Sequence, residues 1–453
     1  MAKDLKNLCA YELGYLLESK KLDPISLLEY YISIYRSNDN NIKSSFVNLM
    51  ISKAKNEAMR SWRRQKEGRR KGILDGIPMA WKDMIDIEQN PAFAGSKKVY
   101  NWRKNAQVRD ATVVRLAKNA GLISLAKTGT VELAFGGIGT NRYNPLPKII
   151  IKNKEFAAGG SSTGSATAVS NNLVPLAIGT DTAGSVRIPA AWNNLVGFKP
   201  SLGKVSTKGI LPLSKSYDTV GIISKCVKDI QLVYDIFTKR ESNHYSIEDN
   251  KIKAMVVVDF TLEKLENKNK SKFYEIFNKF VISGIELEYL EIPEFNEINQ
   301  YISENGSIVN YDAWRYWNKI FKGNISGIDP NVQKRLILGR KLKKQNKLKI
   351  EDKLKYFKKV IGEKTKKYDV LMFPTLSMHP PAMETLKKPV DYNVANIKVL
   401  DNTRIANIIN MCAISIPIIL KRHNWLSLSI LASSGKEKKL LSIAEKCENI
   451  INL

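Results

Sequence analysis

Between Gly72 and Ile223 short apolar runs alternate with clusters of glycine, serine and threonine. The runs at 73–81, 121–126, 174–178 and 209–213 read as buried strands, and the stretches at 112–119 and 165–171 between them read as helices. Alternation of this kind builds strands and helices packed in layers. The small residues fall in the loops, where backbone can come close to a ligand.

The flanks fit the same plan. Asp23-Pro24 and Ser26-x-x-Glu29 are helix-start signals, and Leu27, Leu28, Tyr31 and Ile32 then recur on one face. The cationic stretch 60–71 reads as an exposed helix end and loop. After residue 251 the chain turns lysine-rich and helical. It then offers a strand at 368–373 ending in Pro374, an apolar segment at 413–420 and an amphipathic helix at 440–451. No internal repeat or low-complexity linker divides it, so the late strands are expected to rejoin the early sheet. The expectation is one α/β domain: a central mixed, twisted β-sheet covered by α-helices on both faces, with 1–65 as an N-terminal helical segment and 66–453 as the main body.

Composition excludes several classes. With 43% hydrophobic and 26% charged residues in 453, the chain has material for a core and is not a disordered protein. Its best apolar run, 411–420, is far short of the roughly 18 residues of a membrane span. The N-terminus lacks a signal peptide's apolar segment, so a cytoplasmic location and no membrane partner are expected. The 72 Lys+Arg against 44 Asp+Glu leave a net charge of +28. Such a chain can attract nucleic acid or anionic membrane. The excess is spread over segments such as 264–279 and 341–367, without an interleaved aromatic ladder, and reads as a diffuse solvated surface in a chain rich in Lys, Asn and Ile. Cys9, Cys226, Cys412 and Cys447 are widely scattered without C-x-x-C, and read as small buried hydrophobes rather than a disulfide framework or a zinc site. The three histidines, His244, His379 and His423, form no metal motif, so no metal and no cofactor are expected.

Three familiar motifs can be tested. Gly137-Ile138-Gly139 is no dinucleotide fingerprint, because Arg142 stands where the third glycine belongs. Ser201-Leu202-Gly203-Lys204 matches S-x-x-K but lacks the companion motifs. Gly160-Ser161-Ser162-Thr163-Gly164 matches the G-x-S-x-G elbow, which would make Ser162 a nucleophile needing an acid and a histidine; neither His379 nor His423 has a supporting context.

The wider context explains that segment differently. Gly159-Gly160-Ser161-Ser162-Thr163-Gly164-Ser165-Ala166, then Gly179-Thr180-Asp181-Thr182-Ala183-Gly184-Ser185-Val186-Arg187-Ile188-Pro189, then Gly197-Phe198-Lys199-Pro200 resemble the amidase signature family. Upstream, Leu74-Asp75-Gly76-Ile77-Pro78-Met79-Ala80-Trp81-Lys82-Asp83 resembles the family's lysine strand, and Gly95-Ser96 and Lys127 to Glu132 also fit. The resemblance is dense over about 75–221 and thinner beyond. Thr163 and Ala183 depart from it, each standing where many relatives have glycine.

The resemblance implies a Ser–Ser–Lys triad: Ser185 as nucleophile, Ser161 as bridging serine after a cis peptide, and Lys82 as base. Backbone N–H groups of Thr182, Ala183, Gly184 and Ser185 would form the oxyanion hole. Physical chemistry agrees with the assignment. A serine hydroxyl needs a base, histidine is scarce, and a lysine serves only when burial keeps it neutral. The apolar neighbours Ile77, Pro78, Met79 and Trp81 suit such burial. Asp181 and Arg187 read as structural partners of the loop, and Asp83 and Asp86 as groups shaping the lysine's surroundings.

The implied activity is hydrolysis of a small carboxamide through an acyl-enzyme, releasing ammonia or an amine, with a homodimer left open. The alternative is the glutaminase (A-type) component of a tRNA-dependent Asp/Glu amidotransferase, with B- and C-type components and tRNA as partners. Asn310 to Tyr316 is similar to a segment of those glutaminase components. Their glutamine-recognition stretch is not recognisable here, and 401–404 and 407–417 resemble stand-alone amidases. A non-catalytic binding protein on the same fold is the remote third reading.

Overall fold

The computed structural model describes residues 5–239, 252–418 and 425–453. Its strands are β1 (Phe46–Leu49), β2 (Pro78–Lys82), β3 (Ile123–Thr128), β4 (Ile149–Ile151), β5 (Lys154–Phe156), β6 (Leu176–Asp181), β7 (Val196–Lys199), β8 (Thr219–Ser224), β9 (Lys253–Val257), β10 (Glu286–Leu290), β11 (Val370–Pro374), β12 (Cys412–Pro417) and β13 (Ser427–Ala432). Eleven of them form one sheet in the order β1-β3-β2-β6-β8-β7-β12-β13-β11-β9-β10. Pairing is mixed: β2 runs parallel to β3 and β6, β9 parallel to β10 and β11, and the other neighbours are antiparallel. The late strands do rejoin the early ones, because β12 pairs with β7.

Both faces of the sheet are buried, and the side-chain alternation of a strand shows it. Ala254, Val256, Val370, Met372, Cys412, Ile414 and Ile430 enter one core, with Phe277 and Leu440 from helices Asn267–Ile282 and Glu437–Asn452. Their odd-register neighbours Met255, Val257, Leu371, Phe373, Ala413 and Leu431 enter the other, against Phe295, Leu354 and Phe357 of helices Glu294–Asn305 and Lys344–Thr365. A sheet apolar on both faces requires a helix layer on each.

Local signals act as expected in several places. Asp23 caps helix Pro24–Ser37, accepting the N–H groups of Ile25 and Ser26 at 2.9 Å, while Leu27, Leu28, Tyr31 and Ile32 are buried. The stretch 60–71 is less solvated than its charge suggests. Arg64 Nε donates to buried Asp75 Oδ2 at 2.8 Å, and Arg70 Nη2 donates to the Asp75 carbonyl at 2.8 Å, so these cations hold the chain entering β2.

Other readings need correction. Residues 209–213 form only an isolated bridge, Ile85 to Ile210, instead of a strand. The lysine-rich region after 251 contributes β9 and β10 as well as helices. β10, Glu-Leu-Glu-Tyr-Leu at the sheet edge, carries too much charge to read as a strand by apolarity. The basic-apolar insert before Ser161 is a small antiparallel hairpin, β4 with β5. Cys412 and Cys447 are buried, but Cys9 and Cys226, distant in sequence, are half-exposed and lie together. His244 and His423 lie outside the described residues, as do positions 419 and 420 of the late apolar segment. Among the described residues, no helix is long and apolar enough to cross a membrane.

Candidate active site

Lys82 ends β2, a strand buried at all five positions because it runs inside the sheet between β3 and β6. Its side chain is 0% exposed. Nζ lies 2.7 Å from Ser161 Oγ and 2.8 Å from Thr180 Oγ1, with the Thr180 carbonyl at 3.4 Å. Burial lowers the amine from its ordinary 10.5 to about 7, against the opposing charges of Asp181 and Asp218. An amine poised there can exchange a proton with the hydroxyl beside it.

Ser161 precedes helix Thr163–Ser170, whose residues 163–169 are all buried. Small side chains let this helix lie against the chain around it. A Cβ at Gly164 would collide with the Gly129 backbone nitrogen. The Gly160–Ser161 peptide is cis. The Ser161 carbonyl accepts from Val131 N–H at 3.2 Å and Thr130 Oγ1 at 3.0 Å, which locks it to the loop after β3. Thr163 spends its hydroxyl on the Gly159 carbonyl at 2.7 Å, so this departure from glycine braces the loop.

The second serine loop follows β6 and is organised by Asp181. Its carboxylate accepts Gly184 N–H at 2.8 Å, Val186 N–H at 3.2 Å, Arg187 Nε and Nη2 at 3.1 and 3.0 Å, and Asn407 Nδ2 at 3.0 Å. Burial opposes its charge, but Arg187, Lys199 and Asn407 prevail and hold the carboxyl at about 2. Arg187 Nη2 also donates to Asn407 Oδ1 at 2.7 Å. The Gly184 N–H, expected in the oxyanion hole, is therefore taken by Asp181. Among the described residues the N–H groups of Thr182, Ala183 and Ser185 have no partner. The left-handed residue here is Gly184, with φ +121°, and Ala183 has no positive φ, so its Cβ strains nothing.

The two serine loops meet: Ser162 N–H donates to the Ser185 carbonyl at 3.1 Å. Ser185 is 5% exposed, and its hydroxyl makes no hydrogen bond to another described residue, Ser161 included. Ser162 is fully buried with its hydroxyl on the Thr180 carbonyl at 3.3 Å. His379 is exposed and shares a hydrogen bond with Asn269, so it does not complete an elbow at Ser162.

Asp83 and Asp86 shape the turn after β2 rather than the lysine itself. Asp83 pairs with Lys127 at 3.4 Å and accepts Phe93 and Gly95 N–H groups; Asp86 pairs with Arg103 at 2.9 Å. Four further residues were not legible as members of the site: Thr180, Asp218, Thr403 and Asn407. Thr182 Oγ1 donates to Asp218 Oδ1 at 2.5 Å, and Thr403 Oγ1 donates to the Ala183 carbonyl at 2.7 Å, so the second serine loop is tethered at Thr182 and Ala183. Thr180 and Asp218 fall within the 75–221 stretch that resembles the family, which could have hinted at them, whereas Thr403 and Asn407 lie 220 positions from their partners and no local signal ties them to the loop. A cavity of about 960 Å³ reaches Thr180 and Asp218 and is walled by Leu213, Tyr316, Lys208 and Lys215. Arg335 donates to the Phe135 carbonyl and stacks 5.3 Å from the Phe135 ring, while its Nε and Nη1 are buried without hydrogen-bond partners.

A layered α/β fold with a buried lysine between two serine loops defines the amidase class of enzyme. The Amidase family model matches residues 26–441, so the chain belongs to that family and is a hydrolase of carbon–nitrogen bonds. It is 26% identical over 392 residues to a 2-amino-5-chloromuconic acid deaminase of Comamonas testosteroni, covering 85% of this chain and 84% of that one. It is 29% identical over 421 residues to the A-type component of the glutamyl-tRNA(Gln) amidotransferase of Sulfolobus acidocaldarius, covering 84% and 86%. The fold matches a crystal structure of an amidase with a TM-score of 0.85 at 24% identity, over 98% of this chain and 99% of that one. A 6-aminohexanoate cyclic dimer hydrolase matches equally, at 0.85 and 20% identity over 99% and 98%.

Proposed function

We propose that the protein cleaves a carboxamide through Ser185, Ser161 and Lys82. The observation that carries this is Lys82: fully buried, held near neutrality, and 2.7 Å from Ser161 Oγ. Neutral Lys82 accepts the Ser161 proton as Ser161 accepts that of Ser185. The Ser185 oxygen then bonds to the carbonyl carbon, and the carbonyl π pair moves to oxygen. The unpartnered N–H groups of Thr182, Ala183 and Ser185 receive that oxyanion, while Gly184 supplies the turn. Collapse breaks the C–N bond, and the proton returns to the leaving ammonia or amine. Water then attacks the acyl-enzyme by the same proton path, releasing acid and restoring Ser185.

We infer an acidic substrate from Arg335, whose guanidinium stacks 5.3 Å from the Phe135 ring and keeps two buried donors without hydrogen-bond partners near Gly136, next to the residue whose carbonyl accepts Gly160 N–H. An acidic substrate is also what the Comamonas relative's name describes. The test is trapping with a serine-directed fluorophosphonate and peptide mapping. Label on Ser185 is the expected result, and label on Ser162 with intact labelling of Ser185→Ala would overturn it.

A second reading has its own support. Relatives from Sulfolobus acidocaldarius, Archaeoglobus fulgidus and Halothermothrix orenii are A-type amidotransferase components covering 84%, 89% and 99% of this chain. Purification from the native cell separates the two. Co-purifying B- and C-type components favour the amidotransferase, and ammonia release from simple carboxamides by the lone chain favours the hydrolase. Four free thiols suit the cytoplasm for either.

A further inference from the structure

The half-exposed cysteines lie at the opposite end of the sheet from the serine loops. β8 starts at Thr219, which pairs with Asp181, and ends at Ser224, which pairs with Leu176. Cys226 follows as the N-cap of helix Val227–Thr238, and Cys9 precedes helix Ala10–Glu18. The Sγ atoms of Cys9 and Cys226 and a carboxylate oxygen of Asp229 all lie within 4.8 Å of one another.

Two features make this more than a chance contact. Cys226 is the extended N-cap of the helix whose third residue is Asp229, so the cap turns its side chain toward that first turn, and Cys9 is brought to them from 217 residues away. Asp229 is 0% exposed and oriented: its two oxygens accept Ala10 and Tyr11 N–H at 2.9 Å each, and the Cys226 thiol also hydrogen-bonds to it, a proton that a thiolate ligand would give up. The charged groups beside the cluster are Lys225, which acts on both thiols and on Asp229 while donating to the Lys6 carbonyl at 2.6 Å, and Glu12, which accepts Cys9 N–H at 2.7 Å.

Two thiolates and one carboxylate are a donor set for a borderline-soft divalent ion. A tetrahedral zinc ion with its usual bond lengths needs neighbouring donor atoms roughly 3.3–3.8 Å apart, which donors already within 4.8 Å of one another reach by small side-chain rotations. We propose that Cys9, Cys226 and Asp229 bind a divalent cation of the zinc class, with water or Glu12 in the fourth position. Binding releases the two thiol protons to solvent and ties the N-terminal helix to helix Val227–Thr238. The site is independent of the reaction at Ser185.

The test uses the full-length protein, reduced, stripped with a chelator and titrated with Co²⁺ alone. One equivalent should give a near-ultraviolet thiolate-to-cobalt charge-transfer band that Zn²⁺ displaces. Cys9→Ser and Cys226→Ser should each abolish the band, and Asp229→Asn should keep it with roughly 10-fold weaker binding or worse. Zn²⁺ should raise the Tm of the wild type and of neither serine variant, with amide hydrolysis unchanged. Absence of the band at one equivalent, or a band that survives both serine substitutions, overturns the site. A stripped protein that binds no Co²⁺ but readily forms a Cys9–Cys226 disulfide also overturns it, and marks a redox pair instead.

Discussion

A lysine can take a proton only while neutral, and at residue scale that makes Lys82 the point on which the proposed chemistry turns. With its amine near 7, activity should rise with pH through about 7 and level off above, as the neutral fraction saturates. The pH dependence of kcat checks this; a flat profile between 6 and 8 would exclude Lys82 as the base. Folding responds in the same sense. The unfolded lysine keeps its proton up to about 10.5 and the native one only to about 7, so this group's contribution favours the native state increasingly as pH climbs between them. Lys82→Ala should remove most turnover, and Lys82→Arg should do no better, since a guanidinium cannot act as a base. Mapped fluorophosphonate labelling of folded variants is the control. Gly184 is the other residue with no tolerance. A Cβ there would collide with Thr403 Oγ1 on a backbone at φ +121°, so Gly184→Ala should cost about 1–3 kcal/mol and most of the activity, read by urea unfolding and labelling rate.

At the scale of elements, the loop after β6 is preorganised by one buried ion pair. Arg187 and Asp181 are 1% and 0% exposed, and removing one partner would leave a buried charge uncompensated. Asp181→Asn should therefore destabilise by about 3–5 kcal/mol and release the Gly184 and Val186 N–H groups. The unfolding midpoint reads the first effect. The labelling rate of Ser185 at a temperature where the variant is folded reads the second, and a variant that labels as fast as wild type would mean the loop holds its shape without the pair. The loop residues and Lys82 could be read from sequence because each sits in a compact stretch that resembles the family. Asn407 could not be tied to them, because its contact with Arg187 spans 220 positions. Thr180 was hidden for another reason: a threonine late in a buried strand looks like any other until β2 places Lys82 beside it.

For the whole molecule, the +28 charge is the property that reaches furthest into solution behaviour. It is the excess left after exposed local pairs such as Lys355 with Asp352 and Lys366 with Glu363, at 3.0 and 2.8 Å, have cancelled. Exposed pairs of this kind contribute little to stability. If the surface is only diffusely basic, tRNA should retard the protein at low salt, and the shift should fade steeply toward about 150 mM and be matched by heparin. Electrophoretic mobility measures it. A shift that persists at that ionic strength and is specific for tRNA would favour the amidotransferase reading.

Sequence by itself determined the class of fold, and through its resemblance to the family pointed to the candidate residues Lys82, Ser161 and Ser185, because strand period, loop composition and compact motifs are local properties of the chain. It also carried the constraint on Lys82, since an apolar strand must bury whatever ends it. Tertiary structure alone decided which groups surround that amine, that the Gly184 N–H goes to Asp181, and that Arg187 is shared with Asn407. It alone brought Cys9 to Cys226. Those outcomes depend on how the sheet is ordered, with β12 beside β7 and β6 beside β2. Strand order is set by how two helix layers bury both faces at once, a sum over many distant contacts that no short stretch of sequence records.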